Sequence, residues 1–174
     1  MSRSSGSGRW WRDGRIVTGG IYICMNLSKA VRDPWVQAQL LLFGLTGAAG
    51  PVLGGASALT RVAGVGLLLA GLAFAGWSAR TLGRALTPEP EPLPDSQLVQ
   101  NGPYRIVRHP IYTGVIAAVV GWTLIWSTGI VAAAVAIVLA GFFSAKAGVE
   151  ERWLRARFPE YAQYARRVPR KVIW

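Results

Sequence analysis

The chain is poor in the residues that most often build metal and hydrolytic centres. It has one cysteine, Cys24, and one histidine, His109, among 174 residues. A lone cysteine excludes an intramolecular disulfide and a thiolate metal cluster, and a lone histidine leaves a metal site or a Ser-His-Asp triad without partners. Acidic residues are scarce too, 8 against 19 lysines and arginines, which sets the formal net charge at +11. Only 16% of residues are charged while 52% are hydrophobic, and the mean hydropathy is +0.33, too apolar for a soluble domain. A secretory leader is not evident, because the apolar patch at 21–24 is short and follows Gly19-Gly20.

What the chain does have is long apolar stretches. A helix that crosses a bilayer needs about 20 apolar residues, with a range of roughly 17 to 25. Spans are expected at 35–53, 62–79, 110–126 and 130–147, the last two short enough that they should continue as helix into the interface. Gln37, Gln39 and Thr46 interrupt the first span, and the apolar run of the fourth ends at Ala145. Ser127-Thr128-Gly129 is too short for anything but an antiparallel hairpin between the third and fourth. Abundant Gly and Ala would let the helices approach closely. The fold class is therefore all-α, a multi-pass membrane bundle of about four helices.

Charge placement tests this division independently. Four spans put the N-terminal tail, the 80–109 loop and the C-terminal segment on one side, which then collects 18 of the 19 basic residues; only Arg61 falls on the other. By the positive-inside tendency that side is the cytosol, with both termini in it. The basic residues are dispersed along membrane borders, so the net charge does not mark a nucleic-acid surface. A small transporter is disfavoured, since no charge lies inside the apolar runs to serve as an ion or proton relay.

Residues 1–33 read as a flexible cytosolic tail, with Met25 an alternative start, and 34–174 as the membrane domain. Asp33-Pro34 marks a helix start. The proline-rich stretch 87–94 cannot form a regular helix and reads as an extended loop. Beyond the fourth span, the cytosolic segment 148–174 carries Trp153, Leu154, Phe158 and Tyr161 beside five arginines between 152 and 167, an amphipathic pattern. Pro159 is expected to open a second short helix and Val168-Pro169 to stop it.

The stretch 98–114, LVQNGPYRIVRHPIYTG, concentrates the chemistry. Asn101-Gly102-Pro103 is a turn, and Pro110 suits the first turn of a helix. Unpaired N–H groups at that helix start, with Arg105, Arg108 and His109 beside them, would accept a carboxylate or phosphate. On spacing alone the more ordinary reading is a basic membrane border capped by His109. Lys146 and Glu150 share a helix face, which a solvated interfacial ion pair would also explain. Of Glu150 and Glu151, one should face the bundle while its neighbour points about 100° away; Glu151 is expected to matter less.

Taken together, Gly102-Pro-Tyr-Arg105, Arg108-His-Pro-Ile-Tyr112 with Gly114, the pair Glu150-Glu151, and Phe158-Pro-Glu-Tyr161 through Tyr164 to Arg167-Val-Pro169 resemble the isoprenylcysteine carboxyl methyltransferase and phospholipid methyltransferase group of membrane enzymes. The resemblance covers about half the chain. It implies an S-adenosylmethionine-dependent methyltransferase acting on a lipophilic acceptor at the cytosolic membrane face without a Rossmann domain, and no G-x-G-x-x-G follows a strand here. Carried over by position, the cofactor residues would be Gln97, Leu98, Val99, Tyr104, His109, Pro110, Tyr112 and Glu150, with Ser96 a weaker candidate. The basic residue four before the glutamate, which contacts the acceptor in the family, corresponds to Lys146; eukaryotic members carry Arg there, and lysine lacks the planar bidentate grip of guanidinium on a carboxylate. Prenylcysteine carboxylate, amino-phospholipid, thiol and isoprenoid acid all stay open as acceptors. So do the oligomeric state and an alternative in which the chain is a non-catalytic membrane scaffold or degenerate member of the group.

Overall fold

The computed structural model describes residues 32–86 and 96–172. The expectations for the N-terminal tail with Cys24 and for the proline-rich stretch 87–94 lie outside the described residues. Among the described residues, five α-helices account for nearly all of the regular structure: α1 (Pro34–Leu53), α2 (Ala58–Leu82), α3 (Pro110–Trp126), α4 (Gly129–Arg157) and α5 (Tyr161–Arg167). One-turn 3₁₀ segments follow α2 (Gly83–Ala85) and precede α3 (Gly102–Arg105).

Local chemistry sets the helix ends. Asp33 caps α1, its carboxylate accepting from the amides of Trp35 and Val36 at 2.8 and 3.1 Å, with Pro34 in the first turn. Gly54 stops α1 at φ 62°, a left-handed conformation that glycine adopts without a Cβ penalty. Ser57 and Thr128 cap α2 and α4 in the same way as Asp33. Pro51 lies inside α1 and cannot donate to the carbonyl of Gly47, and the indole Nε1 of Trp122 on α3 supplies that bond instead, at 3.0 Å. A neighbouring helix thus satisfies the group the proline frees, as apolar surroundings require.

α3 is the centre of the bundle. It packs most intimately on α2, where Gly64 and Gly71 face Gly121, Gly114 and Ala118. A Cβ added to Gly71 would sit 2.5 Å from the amide nitrogen of Ala118, and one on Gly114 2.6 Å from that of Ala75. The two backbones touch, which only glycine on both sides permits. On its other side α3 contributes Ile116 to a buried cluster with Val135, Leu139 and Phe143 of α4 and with Val172.

α1, α2 and α4 are long and apolar enough to cross a membrane. α3 has 17 residues, about 25 Å, against a hydrocarbon core of about 30 Å. The expected extension into the interface occurs in α4, which runs unbroken through 29 residues, and does not occur in α3, which Pro110 and Ser127 bound. α4 is about 43 Å long, so its last turns project beyond the apolar layer. Pro159 sits in the turn between α4 and α5 and not at the first position of α5, because that turn ends on the amide of Tyr161 bonding to the carbonyl of Phe158.

Residues 168–172 then return along the start of α3. The amides of Arg108 and His109 donate to the carbonyls of Arg170 and Lys171 at 3.0 and 2.9 Å, and the Thr113 hydroxyl donates to that of Val172. This C-terminal strap ends with Val172 fully buried.

Candidate functional site

At the end of the bundle where α3 begins, a cavity of roughly 330 Å³ opens among α1, the segments flanking α3, α4 and α5. That volume is within the range of small-molecule sites. Its wall includes Gln97, Leu98, Val99, Tyr104, His109, Tyr112, Lys146 and Glu150, with Ser96 beside them. Pro110 is not on the wall; it is buried behind it as the first residue of α3. Arg105 is exposed and also off the wall, because the 3₁₀ turn that buries Tyr104 turns its neighbour outward.

The polar core of the site is built around His109, 6% exposed. Its Nδ1 lies 3.4 Å from Glu150 Oε2 and its Nε2 3.4 Å from Glu151 Oε1. Its ring stacks parallel to that of Tyr112, one turn along α3, at 5.4 Å between centroids. Tyr112 in turn donates its hydroxyl to Glu150 Oε2 at 2.8 Å. Both glutamates therefore reach one imidazole from either side, which corrects the expectation that Glu151 would point away. Successive residues on a helix diverge by about 100°, and a ring lying in the cleft between their directions can meet both side chains.

Glu151 is the structural member of the pair. It is 6% exposed and pairs with Arg108 Nε at 2.8 Å. The same guanidinium donates from Nη1 to the carbonyls of Val168 and Pro169 at 2.7 and 2.8 Å, tying the strap to α4. Burial alone would raise the Glu151 carboxyl, but His109 and Arg108 outweigh it and hold it down at about 2. For His109 burial works toward the neutral ring, and Glu150 and Glu151 together overcome it, so the imidazole stays protonated above its ordinary value. The anion site expected at the start of α3 is correspondingly altered, since the strap carbonyls take the amides of Arg108 and His109.

Lys146 is not a solvated ion-pair partner. It is 2% exposed, donates from Nζ to Gln39 Oε1 of α1 at 2.6 Å, and lies 5.8 Å from the Tyr112 ring centroid. Tyr164, on the cavity wall, donates its hydroxyl to the carbonyl of Tyr104 at 2.8 Å and holds that ring in place. Burial pushes the Tyr164 phenol up to about 12. The hydroxyl of Tyr161, also on the wall, is buried with no hydrogen-bond partner among the described residues. Sequence reasoning placed neither Gln39 nor Tyr161 in the site. The polar residue inside an apolar span was the one available signal for Gln39.

A membrane helical bundle with a partly open, mostly apolar cavity at one end, into which a few charged and polar side chains converge, is the class that fold and site define. The sequence profile of the phospholipid methyltransferase family matches residues 59–161, and the chain belongs to that family. It is 36% identical over 75 residues to the cobalt-zinc-cadmium resistance protein CzcN of Cupriavidus metallidurans, covering 43% of this chain and 35% of that protein. It is 28% identical over 137 residues to the nickel-cobalt-cadmium resistance protein NccN of Alcaligenes xylosoxydans xylosoxydans, 79% of this chain and 51% of the relative. With protein-S-isoprenylcysteine O-methyltransferase B of Arabidopsis thaliana it shares 39% identity over 77 residues, 44% of this chain and 39% of the plant protein. The matches thus span about half or less of these relatives' own lengths.

Proposed function

We propose that the chain is a membrane methyltransferase that uses S-adenosylmethionine and methylates a lipophilic acceptor at the cytosolic face, with both termini in the cytosol. The observation that carries this reading is convergence: residues as far apart in sequence as Gln97 and Glu150 line one cavity, together with Lys146. The donor set fits the proposed cofactor. Glu150 offers a carboxylate for an ammonium or ribose hydroxyls, Tyr104 with Leu98 and Val99 an aromatic and apolar surface for adenine, and the buried Tyr161 hydroxyl a further polar contact. S-adenosylmethionine supplies an already activated methyl group, so the chain's work is orientation and exclusion of water, with little proton transfer. His109 suits that role, since both its nitrogens face carboxylates and it holds Glu150 in place.

The test is binding of S-adenosylmethionine by the purified chain, followed by labelled-methyl transfer to fractions of total membrane lipid. Glu150→Ala should weaken binding about ten- to a hundredfold, the loss of one charge-assisted hydrogen bond. Wild-type affinity in that variant would remove the site assignment. Binding without any transfer would favour the non-catalytic alternative.

A further inference from the structure

Two neighbouring stretches of the cavity wall differ in hydrogen-bonding sense, and the difference originates in α1. On one of them Glu150 presents a carboxylate, an acceptor, steadied by the Tyr112 hydroxyl. One helical turn before it on α4, Lys146 donates to Gln39 Oε1 at 2.6 Å, both residues lying on the cavity wall. A lysine ammonium has no acceptor atom, so its partner must be the amide oxygen, and the orientation of Gln39 is thereby settled. What the amide has left is its NH₂ group. The pair can therefore offer a ligand donors only, an ammonium and an amide side by side from two different helices. Two donors on separate stems give a fixed two-point contact, where a lone ammonium on one flexible stem holds an oxygen as a point charge.

We infer that Gln39 is a specificity-determining residue, forming with Lys146 a two-donor seat for an acceptor head that carries a negatively charged oxygen. At that seat an ammonium head would meet positive charge and donors, which disfavour it there. Gln39 belongs to α1, ahead of residues 59–161 that the family profile covers, so the selection comes from a helix outside that common segment. The inference deepens the proposed function and rests on it for the identity of the ligand as a methyl acceptor.

The experiment compares two probes with one alkyl tail, headed by a carboxylate or by a primary ammonium. Their binding to the full chain in phosphatidylcholine nanodiscs is measured at mildly alkaline pH, with S-adenosylmethionine binding followed on the same samples. Wild type should hold the carboxylate probe at least about tenfold more tightly. Gln39→Leu should lose that preference. Gln39→Glu is the sharper variant, because it keeps an oxygen for Lys146, and with it the tie between α1 and α4, yet removes the NH₂ and adds a negative charge. Its preference should invert. A merely structural Gln39 would leave the ratio of the two affinities unmoved in Gln39→Glu, and that result, or equal binding of both probes to wild type, overturns the assignment. A preserved head preference in protein that fails to bind S-adenosylmethionine would support the seat and count against the methyltransferase reading alone.

Discussion

The α2–α3 interface and the charged end of the bundle are held by opposite means. Between α2 and α3, glycines at 64, 71, 114 and 121 bring backbone against backbone, and close fit of shape holds the helices there. At the charged end, Arg108, His109, Glu150 and Glu151 form a chain of ion pairs that also secures the strap. The first region tolerates no added volume; the second tolerates no missing charge. In an apolar environment both are costly to disturb, but only the second answers to pH.

The largest effect is expected from Arg108→Ala, which leaves Glu151 buried without its main partner and releases the carbonyls of Val168 and Pro169. Breaking a buried pair from one side costs about 3 to 5 kcal/mol. Thermal unfolding in detergent should show it, and proteolysis of the strap should accelerate. A variant as stable as wild type would mean that the strap is held by its backbone bonds alone. Gly71→Ala should cost somewhat less, about 1 to 3 kcal/mol of overpacking, because the new methyl meets backbone and the helices must part. Gly66, whose added Cβ would meet nothing, is the control: Gly66→Ala should be neutral or slightly stabilising. Equal effects at the two positions would show that the close approach is not what holds α2 to α3.

A pH series separates the regions further. The His109 imidazole is raised above its ordinary 6.5, so its contribution is complete below that value and is lost as pH rises through the higher folded value. Glu151 is lowered from 4.5 to about 2, so its contribution is present above 4.5 and is lost as pH falls toward 2. Wild type should therefore lose stability as pH rises beyond 6.5, and His109→Gln should flatten that limb while keeping the acid one. An unchanged alkaline limb in the variant would place the titrating group elsewhere. The smallest effect concerns Trp122→Phe, which removes the donor to Gly47 and should cost about 1 kcal/mol. With Pro51→Ala in the background, Gly47 regains an intrahelical amide and the same substitution should cost less. Additive costs in the double variant would break the proposed link between Pro51 and Trp122.

Hydropathy, helix-start chemistry and glycine content were enough to read the bundle from the chain, because apolar length and capping are local properties. The helix starts at Asp33-Pro34 and at Pro110 fell where the residues placed them, and so did the stop at Val168. Spacing along one helix could also say that Lys146 and Glu150 share a face. It could not say what that face meets. Whether Lys146 met water or Gln39, whether Glu151 turned outward or toward His109, and whether the amides ahead of α3 stayed open or were taken by residues 168–172 depended on the rotation of each helix about its axis and on a return of the chain from some 60 residues away. Those are settled by packing, here by glycines that let α2 and α3 close to backbone contact and by the strap that fits Val172 into the core. The sequence by itself determined which residues could carry charge into an apolar bundle; tertiary structure alone decided which of them face one another, because partners for buried charges are chosen in three dimensions.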